Sequence, residues 1–197
     1  SFKPGTFLHL GWENYVLLAD DKVVATVGGF SDVKESAYYA DAVEWAVENG
    51  VTTGTSATTF SPDATCTTGQ IITFLWRANG SPSVSGVTPF DDVSSSDYYY
   101  QAALWAKEEG LVSGSTFQGN TPCTRAATVT YLWKLADQPS VGTSKFTDVP
   151  NNADYAQAVA WAVQEGITSG TGNNAFSPNA ICTRGQIVTF IYRDMVG

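Results

Sequence analysis

The sequence predicts a mainly α fold: three tandem helix–loop–helix units gathered with near-threefold symmetry about a common centre, with a short β-hairpin ahead of them. Three observations carry that expectation. The motif Phe-x-Asp-Val is written at 30–33, 90–93 and 146–149. A pair of glycines brackets three residues at 50–54, 110–114 and 166–170. A Cys-Thr pair then opens an apolar run at Cys66, Cys123 and Cys182. Self-similarity at this period marks a repeat architecture, in which one unit's apolar stripes make too small a core to stand alone and neighbours must share theirs.

Residues 1–29 lie ahead of the repeats. The stretch NYVLLADDKVVATV reads as two short β-runs around Asp20-Asp21. A lone hairpin is marginal in water, so this pair is expected to lean on the first unit or to end a preceding domain. The units span 30–82, 90–138 and 146–197, joined by the Ser-, Pro- and Gly-rich linkers 80–89 and 137–144.

The first helix of each unit is read from its apolar spacing. In unit three, Tyr155, Ala158, Val159, Ala162 and Val163 fall on one stripe, and Gly166 is placed to close the helix in the left-handed conformation. Unit one repeats this through Tyr39, Ala42, Val43, Ala46, Val47 and Gly50, whereas unit two interrupts it with Lys107. Trp45, Trp105 and Trp161 fall beside the stripe. A ring placed there either seals the edge of the core or shows one face as a stacking surface for a sugar or a partner side chain. The spacing leaves both open.

The second helices start at Thr67, Thr124 and Thr183, all good N-caps. Gln70 and Gln186 complete Thr-x-x-Gln capping boxes, which Ala127 forgoes. Arg125 and Arg184 sit in the first turn, the positive end of the helix dipole, where a cation is disfavoured by roughly 0.3–1 kcal/mol. A bound anion, held by free backbone N–H groups and the guanidinium together, would explain them. So would an internal carboxylate. Thr68 takes the same place in unit one. Asp32, Asp92 and Asp148 either close Asx-turns or meet ligand hydroxyls. The loop between the helices is shorter in unit two, where Gly119 stands in place of Pro62 and Pro178, so the grooves beside the units are expected to differ. Phe60, Phe117 and Phe176 are expected to pin these loops to the core.

Composition excludes several classes. A net charge of -9 argues against a nucleic-acid surface, which needs clustered cations. No stretch approaches the about 20 apolar residues that a membrane helix needs, so no membrane insertion is expected. The single His, His9, precedes the repeats, which rules out Ser-His-Asp or Cys-His catalysis inside them. No carboxylate pair stands out for glycoside hydrolysis. The chain opens without Met or a signal-like segment, so Ser1 reads as the start of a mature chain or an excised fragment. The three cysteines repeat with the units and not with any metal-motif spacing, so free buried thiols are expected, with no metal and no cofactor.

These motifs resemble the S-layer homology family. The marks are Phe-x-Asp-Val, a Tyr-Ala…Trp-Ala helix, Gly-[Val/Leu/Ile]-x-x-Gly, Phe-x-Pro and a Thr-Arg-Ala-Glu-like helix start, covering Phe30 to Gly197. The resemblance implies a three-pronged pseudo-trimer whose second helices bundle centrally. It implies a non-catalytic, extracellular module at the bacterial surface, the C-terminal part of a larger surface protein. Its partner would be a secondary cell-wall polysaccharide, often pyruvylated, bound in grooves between units. Carried over motif by motif, it assigns Arg125 and Arg184 to the ligand carboxylate, and Asp32, Asp92 and Asp148 to hydroxyl contacts. Trp45, Trp105 and Trp161 become stacking surfaces or groove walls, and Gly54, Gly114 and Gly170 let the backbone approach the ligand. The chain departs from the family pattern: Gln70, Ala127 and Gln186 replace its Glu, Gly69 and Gly185 its Ala, and Thr68 its Arg. The alternatives are a protein-interaction or surface-assembly module that has lost sugar binding and, third, a cell-wall glycoside hydrolase.

Overall fold

Among the residues described by the computed structural model (7–9, 15–19 and 22–197, with side chains from residue 26 onward), three short strands precede six α-helices. Strands β1 (Phe7–His9), β2 (Tyr15–Ala19) and β3 (Lys22–Thr26) form one antiparallel sheet in that order, with Phe7 opposite Leu17 and Leu18 opposite Val23. Asp20 and Asp21, on which the expected hairpin turns, lie outside the described residues. The first helices are α1 (Ala40–Glu48), α3 (Tyr100–Glu108) and α5 (Ala156–Gln164). The second helices are α2 (Thr68–Ala78), α4 (Arg125–Leu135) and α6 (Arg184–Val196).

The caps follow the sequence closely. Thr67 Oγ1 accepts from Gln70 N at 3.4 Å while Gln70 Oε1 accepts from Thr67 N at 3.0 Å. Thr183 and Gln186 repeat the exchange at 3.4 and 3.2 Å. Thr124 Oγ1 accepts from Ala127 N at 3.2 Å with nothing returned, because Ala127 has no side-chain acceptor.

The helices pair across units and not within them. α2 packs against α3, α4 against α5, and α6 against α1. Each first helix therefore lies on the second helix of the preceding unit, and the last unit closes on the first. α6 also meets α2 and α4. At the junction the backbone forms a ring: Cys66 N donates to Cys182 O at 3.0 Å, Cys182 N to Cys123 O at 3.0 Å, and Cys123 N to Cys66 O at 2.8 Å.

The core runs continuously through all three units. Phe60, Phe117 and Phe176 are buried, each pinning its loop. The first-helix stripe is rotated from the expected one: Trp161 is buried with Ala158, Val159 and Ala162, while Val163 is 42% exposed. Burying an indole removes far more apolar area than burying a valine, which favours that rotation. Trp105 is buried likewise, and Trp45 is half-buried with its ring centroid 5.7 Å from that of Tyr192. The three cysteines are free and buried. Burial pushes the Cys66 and Cys123 thiols up to about 12 and raises that of Cys182. No described helix is long and apolar enough to cross a membrane.

Candidate functional site

Arg184 opens α6 and reaches into the first unit. Its Nε donates to the Phe60 carbonyl at 2.8 Å, and the guanidinium lies 4.8 Å from the Phe60 ring centroid and 5.2 Å from that of Phe74. Arg125 opens α4 and reaches into the third unit in the same way. Its Nε donates to the Phe176 carbonyl at 2.8 Å between the rings of Phe176, at 4.9 Å, and Phe190, at 5.2 Å. Both residues are only 4% exposed, and burial lowers both pKa values from the ordinary arginine range. Two aromatic faces compensate the cation that the helix start disfavours. The partners of the two guanidiniums among the described residues are carbonyls and a hydroxyl, not carboxylates: Arg125 Nη2 donates to Thr168 Oγ1 at 3.4 Å, and the buried Arg184 Nη2 has no hydrogen-bond partner.

The helix amides expected to help hold an anion are already occupied. Arg184 N donates to Ala64 O and Gly185 N to Pro62 O, both at 2.9 Å. Arg125 N donates to Ala180 O at 2.9 Å and Ala126 N to Pro178 O at 3.0 Å.

The three aspartates hold these loops. Asp32 accepts from Phe60 N at 2.8 Å and Ser61 N at 2.7 Å. Asp92 accepts from Phe117 N and Gln118 N, each at 2.7 Å. Asp148 accepts from Phe176 N at 2.8 Å and Ser177 N at 2.7 Å. Each carboxylate thereby stabilises a left-handed residue, Ser61, Gln118 or Ser177, and in units one and three it aims the Phe carbonyl at the arginine. The Phe117 and Gln118 amides hold the Asp92 carboxyl below its usual value. At Asp148 burial pushes upward, but the Phe176 and Ser177 amides outweigh it and the net shift is downward.

A groove of about 320 Å³ lies beside Arg125, lined by Tyr38, Thr168, Gly170, Gln186 and Arg193 among others. Arg193 Nη1 donates to Ile167 O at 3.1 Å, and Thr168 Oγ1 accepts from Gly170 N at 3.1 Å. Tyr38 is 62% exposed and its hydroxyl reaches Thr183. The same groups recur around the unit that Arg184 enters: within it Arg77 donates to Val51 O at 3.3 Å and Thr52 accepts from Gly54 N at 3.1 Å, and Tyr98 of the second unit, 62% exposed, reaches its Thr67. Sequence reasoning passed over Tyr38, Tyr98, Arg77 and Arg193. Their signal was the repeat itself, since each pair holds one position in two units.

Gly54 and Gly170 have φ of 84° and 88°, and a Cβ on Gly170 would stand 2.5 Å from Ala175 O and 2.6 Å from the Phe146 ring. The loop's own packing thus already demands these glycines. Gly114 shares the φ of 84° but faces open space. Trp105 and Trp161 are buried in their helices and are not among the lining residues of the groove beside Arg125.

The first unit's joint with the second is built differently. Thr68 Oγ1 donates to Thr121 O at 3.3 Å, and no cation reaches the Phe117 ring from this helix start. Tyr99 takes that face instead: it is buried, with ring centroids 5.3 Å apart. Its counterparts Tyr39 and Tyr155 are only half-buried. Gly69 and Gly119 make room, since a Cβ on either would stand 2.6 or 2.5 Å from the Tyr99 ring. The missing arginine therefore belongs to a coordinated exchange: Thr68 for Arg, Gly119 for Pro, and Tyr99 turned inward.

The S-layer homology domain model matches the chain three times, at residues 29–71, 89–128 and 145–188. The amylopullulanase of Thermoanaerobacterium thermosulfurigenes is 25% identical over 172 residues, covering 83% of this chain and 9% of that protein. An endoglucanase of Bacillus sp. (strain KSM-635) is 32% identical over 167 residues, covering 80% of this chain and 18% of that protein. The surface-layer 125 kDa protein of Lysinibacillus sphaericus is 32% identical over 102 residues, covering 51% and 9%. The chain thus spans less than a fifth of the length of each of these relatives.

Proposed function

Because the chain belongs to the S-layer homology domain family, a family of cell-surface anchoring modules, we propose that it anchors a larger extracellular protein to the bacterial surface without catalysing a reaction. Its ligand in this reading is a secondary cell-wall polysaccharide bearing a carboxylate, such as a pyruvate ketal, bound beside Arg125 and Arg184. The three units then stand about a pseudo-threefold axis, a reading supported by the closed ring of Cys66, Cys123 and Cys182 backbones. That enzymes and a surface-layer protein share this segment supports an attachment role separable from what the rest of each chain does.

The observation that carries the ligand is the orphaned Arg184 Nη2, buried without a partner beside a unit that also supplies Arg77. A buried charged donor left unsatisfied costs well over the price of an ordinary hydrogen bond, and a carboxylate is its natural partner. Asp32, Asp92 and Asp148 act in this reading through the loops they hold. Tyr38 and Tyr98 rim the two grooves and offer ring faces to a sugar.

The test is sedimentation with purified cell wall, before and after the secondary polymer is stripped. Arg125→Met/Arg184→Met keeps apolar volume between the phenylalanines and removes both charges. A charge-assisted hydrogen bond is worth roughly 1.5–3 kcal/mol, so the double variant should bind at least about tenfold more weakly. Circular dichroism should confirm that it is folded. Full binding by the folded double variant would reject the site, and retention on stripped wall would point to a protein partner.

A further inference from the structure

A cavity of about 690 Å³ opens along α4, in the groove between units two and three that corresponds to the one beside Arg125. It is about twice the size of that groove, and the reason is in the side chains. Ala127 stands where Gln70 and Gln186 stand in the other units, and Asp154 where Tyr38 and Tyr98 stand. The helix-start arginine that would serve this groove is replaced by Thr68.

We propose that this groove is a binding site for an uncharged pyranose, so that the module reads two kinds of sugar residue. The proposal rests on the reading of the chain as a saccharide-binding module, and it concerns a groove to which that reading assigns no ligand. Four features carry it. Tyr131, Trp133 and Tyr155 line the cavity, and all three remain partly accessible, which suits the flat C–H face of a sugar ring. Asp154 is exposed at the lining, and a carboxylate can accept from two neighbouring hydroxyls. The Thr124 amide lacks the Gln Oε1 that caps Thr67 and Thr183, and Thr124 lines the cavity, so a sugar oxygen can accept from it. Finally, nothing in this groove selects an acid: Lys134 is tied to the Gly110 and Leu111 carbonyls at 3.2 and 2.9 Å, its charge is offset by Asp154 in the same lining, and no guanidinium enters to repay the desolvation of a carboxylate.

The experiment is an amide and indole NMR titration of the whole chain. The probes are neutral methyl pyranosides (gluco, manno, galacto and their N-acetamido forms), set against the corresponding uronic acids. At least one neutral probe should shift the Trp133 indole N–H and the 124–134 amides at millimolar concentration, with uronates at least about tenfold weaker there. Ala127→Gln rebuilds a capping box that units one and three already carry and fills the cavity mouth, so it should fold and abolish that response. The proposal is overturned if no neutral probe shifts these resonances, if uronates shift them equally, or if Ala127→Gln leaves the response intact. Uronate shifts at Arg125 and Arg184 report separately on the arginine grooves, so either reading can fail without the other.

Discussion

Arg184 in the last unit donates from Nε to the carbonyl of Phe60 in the first, 124 residues away along the chain, at 2.8 Å. Arg125 joins the second unit to the third through Phe176 in the same way, whereas the first unit meets the second through Thr68, whose N and Oγ1 both donate to Thr121 O, at 2.9 and 3.3 Å. Two seams are made by a cation between rings and one by a threonine on a carbonyl.

The arginine seam should contribute to stability apart from any ligand. Arg184→Lys keeps the charge but loses the planar stack on Phe60 and Phe74 and the Nε geometry. It is expected to lower unfolding free energy by about 1–3 kcal/mol, read as a lower urea midpoint at unchanged slope.

Thr68→Arg should not recreate a third arginine groove. The Phe117 face is filled by Tyr99, and Gly69 and Gly119 are fitted to that ring. The variant is expected to lose roughly 1–3 kcal/mol through overpacking and to gain no binding of acidic saccharide. A rise in stability would show that Tyr99 can vacate the site.

Gly69→Ala and Gly185→Ala should differ, although both glycines occupy the same helix position. A Cβ on Gly69 would stand 2.6 Å from the buried Tyr99 ring and 3.0 Å from Gly119 O, whereas one on Gly185 would stand 2.9 Å from the half-buried Tyr39 ring. Tyr39 has solvent to move into. Gly69→Ala is expected to destabilise by about 1–3 kcal/mol. In Gly185→Ala the gain in helix propensity, about 1 kcal/mol, offsets much of the strain. Paired thermal melts compare them directly.

Acid should loosen the loops before the helices. Asp92 and Asp148 have folded pKa values below the ordinary 3.8. Their contribution is fully present above that value and is lost as pH falls through the depressed folded values. Once the slower intrinsic exchange in acid is divided out, the protection of the Phe117, Gln118, Phe176 and Ser177 amides should fall on acidification below about pH 4. Asp148→Asn should remove that part of the dependence at the third unit.

Native labelling of the three thiols should be slow and should become fast and complete in denaturant. Burial holds Cys66 and Cys123 near 12 and raises Cys182, so little thiolate exists at neutral pH. Rapid labelling of the folded chain would show that the central ring opens readily.

Much of this fold was legible in the sequence. Thr67, Thr124 and Thr183 announced their helices, and Gln70, Gln186 and Ala127 announced which caps would be two-sided. Spacing within a unit cannot say which unit a helix will pack on, so the pairing of α6 with α1 was out of reach. The arginines were read as choosing between anion and carboxylate. A Phe ring leaves no polar signature for such a choice, so the aromatic sandwich went unseen. The tryptophans illustrate a limit of periodicity: one position beside the stripe is consistent with burial or display, and in Trp105 and Trp161 indole area decided for burial. Tyr99 could not be distinguished from Tyr39 without seeing Gly69 and Gly119 on either side of it.

The hydrogen-bonded loop of Cys66, Cys123 and Cys182 also fixes a number. A linear solenoid can gain or lose a repeat and keep the same interfaces at every step. Here each unit's backbone donates to one neighbour and accepts from the other, and the circuit is complete at three. A fourth copy would have no vacant partner, and two copies would leave a donor and an acceptor stranded at the centre. The side chains of each groove can therefore differ separately, as Thr68 differs from Arg125 and Arg184, but affinity in this module cannot be tuned by changing the repeat count.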